Sequence, residues 1–294
     1  MPIYTYSVHQ IIPYINWIYF FHAWHFPPRF ATIATLKDMS EEKWVQSFAP
    51  HDREQARQAI QLHKDACGCL AYMEGKSSAQ TIFKLCTANS EGDDLLLDGV
   101  RFPTLRQQQP HTDNSPMLCL ADFIRPRNTG QTDKVCVFAS TFHDKDIVAS
   151  YQTDPYSSLL SQTLSDRLAE AAAEYLHLYV RTKAWGYAPD ETLTIDDLLK
   201  NKYQGIRPAI GYPSLPDQSV IFIIDQLLHL EQIGISLTHN GAMVPHASVC
   251  GLMLAHPAAS YFNIGKIGTD QLHDYSQRRG MTIENMEKFI GHLL

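Results

Sequence analysis

Cysteine is sparse in this chain. Six residues in 294 are too few to build a disulfide scaffold. Positive charge is short too: 24 Lys and Arg stand against 31 Asp and Glu, a formal net charge of −7. A non-specific nucleic-acid binder carries the opposite balance, so that class is disfavoured. Long apolar runs are also missing. The most hydrophobic stretch, residues 11–24, is interrupted by Asn16 and His22 and is too short and polar to span a bilayer. No Lys or Arg precedes it, as the basic start of a signal peptide would require. It reads as a buried aromatic segment. Together these absences predict a cytoplasmic protein with reduced thiols, no nucleic-acid partner and no membrane association.

Chemical signatures are missing as well. There is no G-x-G-x-x-G, no P-loop, no G-x-S-x-G and no H-E-x-x-H, which removes support for a nucleotide-dependent kinase, a Rossmann dehydrogenase and a zincin. Cys67-Gly68-Cys69 lacks a second pair at zinc-like spacing. It falls in a helical stretch, where neighbouring residues face different ways, so its thiols read as small hydrophobes. His63, His111, His143 and His246 have no metal-ligand spacing, and no metal site is expected. No nucleophile and base stand out as a catalytic pair.

What is present is a globular composition, 45% apolar and 19% charged. A chain of this length can bury about three-quarters of its unfolded surface. Residues 40–75 read as helical, with Asp52 as a cap and Ala56, Ile60, His63, Cys67 and Leu70 at helical spacing. Short strands are expected at 81–87 and 94–98 around a turn at 89–92, and again at 118–124 and 134–142. A long helix runs from 157 to about 185, on the stripe Leu160, Leu164, Leu168, Ala171, Ala172, Tyr175 and Tyr179. Its polar flank carries Asp166, Arg167, Glu170 and Glu174, and Gly186 with Pro189 ends it. Residues 191–201 form a short helix, and 204–216, with two Gly and three Pro, are irregular. Asp217 starts an apolar helix ending at Gly234. Residues 249–254 and 261–267 look like paired strands. Helices at 270–279 and 282–293, separated by Gly280, close the chain. This order is α+β, without regular βαβ alternation. No linker stands out, so residues 1–294 are expected to form one domain.

The segment 205–213 is the most unusual. Arg207 is a fixed cation with a planar donor fork suited to a carboxylate. Pro208 and Pro213 hold the backbone extended, Gly211 permits close approach to the main chain, and Tyr212 adds an aromatic face. On composition alone a rigid surface loop with a structural salt bridge is the alternative.

Tyr203-Gln204-Gly205-Ile206-Arg207-Pro208-Ala209-x-Gly211-Tyr212-Pro213 resembles the signature of the activation domain of cobalamin-dependent methionine synthase. Further blocks agree in order: Asn16-Trp17 with Phe20-Phe21, Ala88-Asn89-Ser90, Leu105-Arg106-Gln107-Gln108, Leu120-Ala121-Asp122-Phe123, Asp166 to Ala171, Trp185-Gly186-Tyr187-Ala188-Pro189, Ala242 to Val249, Tyr261-Phe262 and Asp270-Gln271. The resemblance spans nearly the whole chain. Ile210 departs from it, standing where the family usually has Pro, as do Ser214 to Gln218, Val244, His246 and Phe262.

This resemblance implies a twisted antiparallel sheet flanked by helices. It implies an S-adenosylmethionine site at Arg207 and the main chain of Ala209, Gly211 and Tyr212, with Asp122, Glu170 and Tyr261 as further contacts. The residue types suit that ligand. Arg207 can take its carboxylate, Asp122 and Glu170 its ammonium, and the rings of Tyr212 and Tyr261 its sulfonium or adenosyl group. A solvated helix face is the alternative for Glu170, and a strand-end cap for Asp122. The family's task implies reactivation of oxidised cob(II)alamin: one electron from a flavodoxin-like donor and one methyl from S-adenosylmethionine. No protein base is needed for this. The cobalamin motif Asp-x-His-x-x-Gly is absent, so cobalamin is expected on a partner module. The chain would then be an excised module or a separate polypeptide. A fold-retaining sensor or assembly module without methyl transfer is the competing expectation.

Overall fold

A computed structural model describes residues 1–36, 39–110, 115–144 and 154–294. His111, one of the histidines weighed as a metal ligand, lies outside the described residues. The strands are β1 (Ile3–Ser7), β2 (Ser78–Glu91), β3 (Asp94–Leu97), β4 (Val100–Pro103), β5 (Asp133–His143), β6 (Ser236–Leu237), β7 (Met243–Val244) and β8 (Ser248–Met253). The α-helices, numbered among themselves, are α1 (Val8–Ile11), α2 (Trp17–Ala23), α3 (Glu41–Gln46), α4 (Arg53–Met73), α5 (Pro155–Tyr179), α6 (Ile195–Leu199), α7 (Ile221–Leu228), α8 (Thr269–Arg279) and α9 (Ile283–Ile290).

The main sheet is antiparallel throughout, in the order β4-β3-β2-β5-β8, with β1 also paired to β2. β2 spans 14 residues and reaches two neighbours on one side: β1 along 78–82 and β3 along 88–91. β5 lies between β2 and β8 and is buried on both faces. Val135, Val137 and Ala139 pack with Ile221, Ile224 and Leu228 of α7. Cys136 and Phe138 join Ala173 and Leu176 of α5. This two-sided burial explains why β5 reads as a continuous apolar run rather than an alternating one.

Helix α5, 25 residues long, packs across β2, β5 and β8. Asp154 caps it through Tyr156 N, and Pro155 occupies its first turn. Ala169, Ala171, Ala172 and Ala173 are buried against the core. Their small side chains let the helix approach the sheet, and Ser140 of β5 donates to the Ala169 carbonyl at 2.9 Å. At Val180–Ala184 the helix widens to a π-turn before Gly186.

Several sequence expectations change. The helical stretch 40–75 is two helices separated by Pro50, and Asp52 pairs with Arg29 at 2.9 Å instead of capping α4 with its side chain. Residues 118–124 are not a strand: Leu120–Phe123 is a 3₁₀ turn, because Asp122 accepts the Cys119 N–H at 2.8 Å and closes it. Residues 261–267 carry no ladder with β8. The place beside β8 is taken by the supposedly irregular segment 206–210. The turn expected at 89–92 moves to Gly92, since β2 continues to Glu91. β1 has no counterpart among the expected strands. In the N-terminal segment Ile11, Ile15, Phe20 and Phe21 are buried, while Ile18 and Tyr19 are exposed. Cys67 is exposed and Cys69 buried, as neighbours on different helix faces must be. Among the described residues no helix is long and apolar enough to cross a membrane.

Candidate functional site

Segment 206–210 runs along the outer edge of β8. Ile206 N and Leu254 N each donate to the other's carbonyl at 2.9 Å, Leu252 N donates to Pro208 O at 3.0 Å, and Ile210 N to Cys250 O at 3.0 Å. Pro208 lacks an N–H, so it can sit only where its carbonyl, not its nitrogen, meets the strand. Ile206 and Ile210 anchor the segment in the core. Gly211 then turns the chain at φ +82°, a conformation glycine adopts without strain, and its N–H donates to Leu215 O at 2.9 Å.

This edge faces α5 across a cavity of about 530 Å³, within the usual size range for a small-molecule site. Arg207, Ala209 and Tyr212 line it from the edge segment, Arg167, Glu170 and Glu174 from α5, and Tyr261 and Phe262 from the segment after β8. Tyr14, Asn16 and Tyr19 close it from the N-terminus, and Leu199 and Asn201 from α6 and just beyond it.

Arg207 organises the interior. Its Nη2 donates to Glu174 Oε2 at 2.8 Å, and its Nη1 is 3.8 Å from Glu170 Oε2. Glu170 and Glu174 are one helical turn apart and so share a face. The guanidinium also lies over the Phe138 ring of β5, 5.7 Å from its centroid. Burial works against the Arg207 charge, but Glu174, then Tyr203, Tyr261 and Glu170, together outweigh it and raise the pKa. Arg207 is therefore a permanent cation. Its main-chain N–H donates to the Tyr261 hydroxyl at 2.9 Å, and that hydroxyl is 3.1 Å from the Tyr203 hydroxyl. The Tyr212 hydroxyl donates to Glu170 Oε1 at 2.8 Å. Burial first, and then the Glu170 charge, raise the Tyr212 pKa, so this phenol stays a donor.

Behind Arg207 lies a second buried layer. Arg181 makes a two-pronged pair with Glu191, both bonds 2.8 Å, and sits over the Tyr203 ring. His177 packs edge-on to Tyr203. Burial, with Arg181 and Arg207 nearby, lowers its pKa well below the usual histidine value.

Of the site residues expected from sequence, the structure brings Arg207, Ala209, Tyr212, Glu170 and Tyr261 to one cavity. Gly211 does not line it and shapes the turn beside it. Asp122 is elsewhere: it holds Arg106 through two bonds of 2.7 and 2.8 Å, and Arg106 in turn holds Asp93 at 2.7 Å. There it caps the Leu120–Phe123 turn and pairs with Arg106, outside the lining of the Arg207 cavity. Glu174 was legible only as part of the polar flank of α5, although its spacing of four from Glu170 carries the signal. Nothing in the sequence places Tyr14, Asn16 or Tyr19 beside Arg207, because that proximity is made by the fold. Among the described residues no cluster of three His, Cys, Asp or Glu forms a metal site.

Comparison with known proteins decides the family. Residues 7–280 match the family described as vitamin B12 dependent methionine synthase, activation domain. This chain belongs to that activation-domain family. A solved structure of the MetH reactivation domain bound to AdoHcy superposes on it with a TM-score of 0.84 at 32% identity, covering 100% of this chain and 90% of that one. The curled antiparallel sheet with flanking helices is thus the activation-domain fold, as the resemblance implied. In this activation domain the edge segment on β8, the signature stretch of the sequence, forms one wall of the Arg207 cavity.

Proposed function

We propose that this chain binds S-adenosylmethionine in the Arg207 cavity and presents its methyl group for reductive reactivation of a cobalamin held by a partner module of methionine synthase. The observation that carries this reading is the buried Arg207, fixed by Glu174 at one wall of a ligand-sized cavity. A structural relative 32% identical carries AdoHcy, the demethylated form of that ligand.

The cavity residues supply binding and orientation. Arg207 offers a charge-assisted fork to the ligand carboxylate. Its main chain is held at the β8 edge and by Tyr261, so the fork needs little reordering on binding. Tyr212 and Tyr261 stand at the cavity wall with exposed rings, suited to an adenine face or to the electron-poor sulfonium. When bound, S-adenosylmethionine supplies a methyl group whose transfer leaves the C–S bonding pair on sulfur, with the electron for the cobalt coming from a flavodoxin-like donor. No side chain must accept a proton in that exchange, consistent with a cavity built on arginine, glutamate and tyrosine rather than on a nucleophile and base.

Calorimetric titration with S-adenosylmethionine tests binding, and absorbance of methylcobalamin formed with the cobalamin module and a reductant tests transfer. Binding without cobalt methylation would favour the sensor or assembly alternative. Absence of binding in the presence of the cobalamin module would overturn the reading.

A further inference from the structure

We propose that Glu174 is a ligand-contacting residue that sets specificity: one oxygen holds Arg207 while the other receives the α-ammonium of S-adenosylmethionine. This rests on the binding function proposed above and adds the group that reads the amino-acid end of the ligand.

Three observations carry it. First, Glu174 lines the cavity, yet its side chain is only 8% exposed. Second, its two oxygens differ. Oε2 accepts from Arg207, whereas Oε1 is buried and finds no hydrogen-bond partner among the described residues. A buried carboxylate oxygen without a donor is costly, and a ligand donor arriving in the cavity removes that cost. Glu170 is different, because one of its oxygens already accepts from Tyr212.

Third, the charges require a cation. Arg207 already faces two carboxylates within 4 Å. A ligand carboxylate placed on its fork would be a third. Three anions around one guanidinium repel one another in a partly buried site. The α-ammonium of an amino acid is attached to the same carbon as the carboxylate, so it arrives with that third anion. Arg207 and Glu174, touching at 2.8 Å, form a cation–anion pair matched to the anion–cation pair of the ligand. A ribose hydroxyl would satisfy Oε1 as a donor but would leave the charge uncompensated.

The test uses AdoHcy, which has the same amino-acid end and transfers no methyl, and its desamino analogue, in which hydrogen replaces the ammonium. Both are titrated into the wild type, Glu174→Gln and Glu170→Gln. The glutamine at 174 keeps an acceptor for Arg207 and removes the charge. In the wild type, removing the ammonium is expected to weaken binding roughly 10- to 100-fold, as for one charge-assisted hydrogen bond. That factor should largely disappear in Glu174→Gln and persist in Glu170→Gln. Glu174→Asp, which keeps the charge, covers the case in which the glutamine variant does not fold, and should retain part of the factor. Equal affinity of the wild type for both ligands overturns the role of Glu174 while leaving the binding function intact. An undiminished factor in Glu174→Gln, or its loss in Glu170→Gln instead, does the same. Failure of the wild type to bind either ligand, with the cobalamin module present as well as without it, removes the binding function itself and this proposal with it.

Discussion

Gly251 lies directly beneath Pro208. A β-carbon at Gly251 would overlap the Pro208 carbonyl oxygen and stand 2.8 Å from the Ala209 Cα. Both of those neighbours are backbone, so neither can rotate away. The cavity wall therefore depends on a missing side chain one strand away. Gly251→Ala is expected to lift the edge segment, cost about 1–3 kcal/mol in stability as an overpacked core does, and weaken ligand binding along with it. Gly68→Ala on α4 is the control. Its β-carbon would meet nothing within 4 Å, so it should be neutral or raise stability by about 0.5–1 kcal/mol. Thermal denaturation and ligand titration read both. A Gly251→Ala protein with unchanged affinity would show that the wall does not need its close seat on β8.

Arg207→Ala should act twice. Loss of a charge-assisted bond to the ligand predicts an affinity lower by about 1.5–3 kcal/mol. The variant also leaves Glu174 buried without its cation, a change that typically costs about 3–5 kcal/mol of stability. The double variant Arg207→Met with Glu174→Met removes both charges together. It should recover most of the stability and none of the binding. Urea denaturation separates the two effects. Restored binding in the double variant would mean that the ligand carboxylate is held elsewhere.

The two walls of the cavity were unequally visible before folding. Helix α5 was legible because Leu160, Leu164 and Leu168 recur at helical spacing and Gly186 stops the run, although the π-turn at its end leaves no mark in that pattern. The residues of segment 205–213 stood out by type, but not their place in the sheet. Two prolines argued against a strand, and the segment pairs with β8 only by letting Pro208 meet it through its carbonyl. Residues 118–124 show the reverse error. Their apolar run suits a strand or a buried turn equally, and the Asp122 side chain decides for the turn. Asn16 and Tyr19 lie some 190 residues from Arg207 in sequence, so only the fold brings them together.

Asp122 gives a test that runs against its expected role. It does not line the cavity and is engaged by Arg106 and the Cys119 N–H. Asp122→Ala should leave affinity for S-adenosylmethionine unchanged. It should lower stability by about 1–2 kcal/mol, through loss of a half-exposed ion pair and of a cap. Paired titration and thermal melts check both parts. A large loss of affinity at unchanged stability would place Asp122 back in the ligand site.

His177 predicts the pH response. It is fully buried between Tyr187, at 3.4 Å from its Nε2, and the edge of the Tyr203 ring. Burial, then the Arg181 and Arg207 charges, hold its pKa well below 6.5, so it stays neutral in the folded state. The unfolded chain takes up that proton near its ordinary value of about 6.5. The folding advantage is therefore complete above that pH and is lost as pH falls below it, with a slope of up to about 1.4 kcal/mol per pH unit from this one group. His63, which burial also lowers, adds to the same trend. Denaturation at about pH 7.5, 6.0 and 5.0, bracketing the ordinary histidine value, should show the wild type weakening toward acid. His177→Phe should show a distinctly shallower decline, even if it is less stable at neutral pH. Because His177 stays neutral while the chain is folded, ligand affinity of the folded wild type should not change through this group over the same range. Identical acid slopes in the two proteins would mean that His177 does not govern this response.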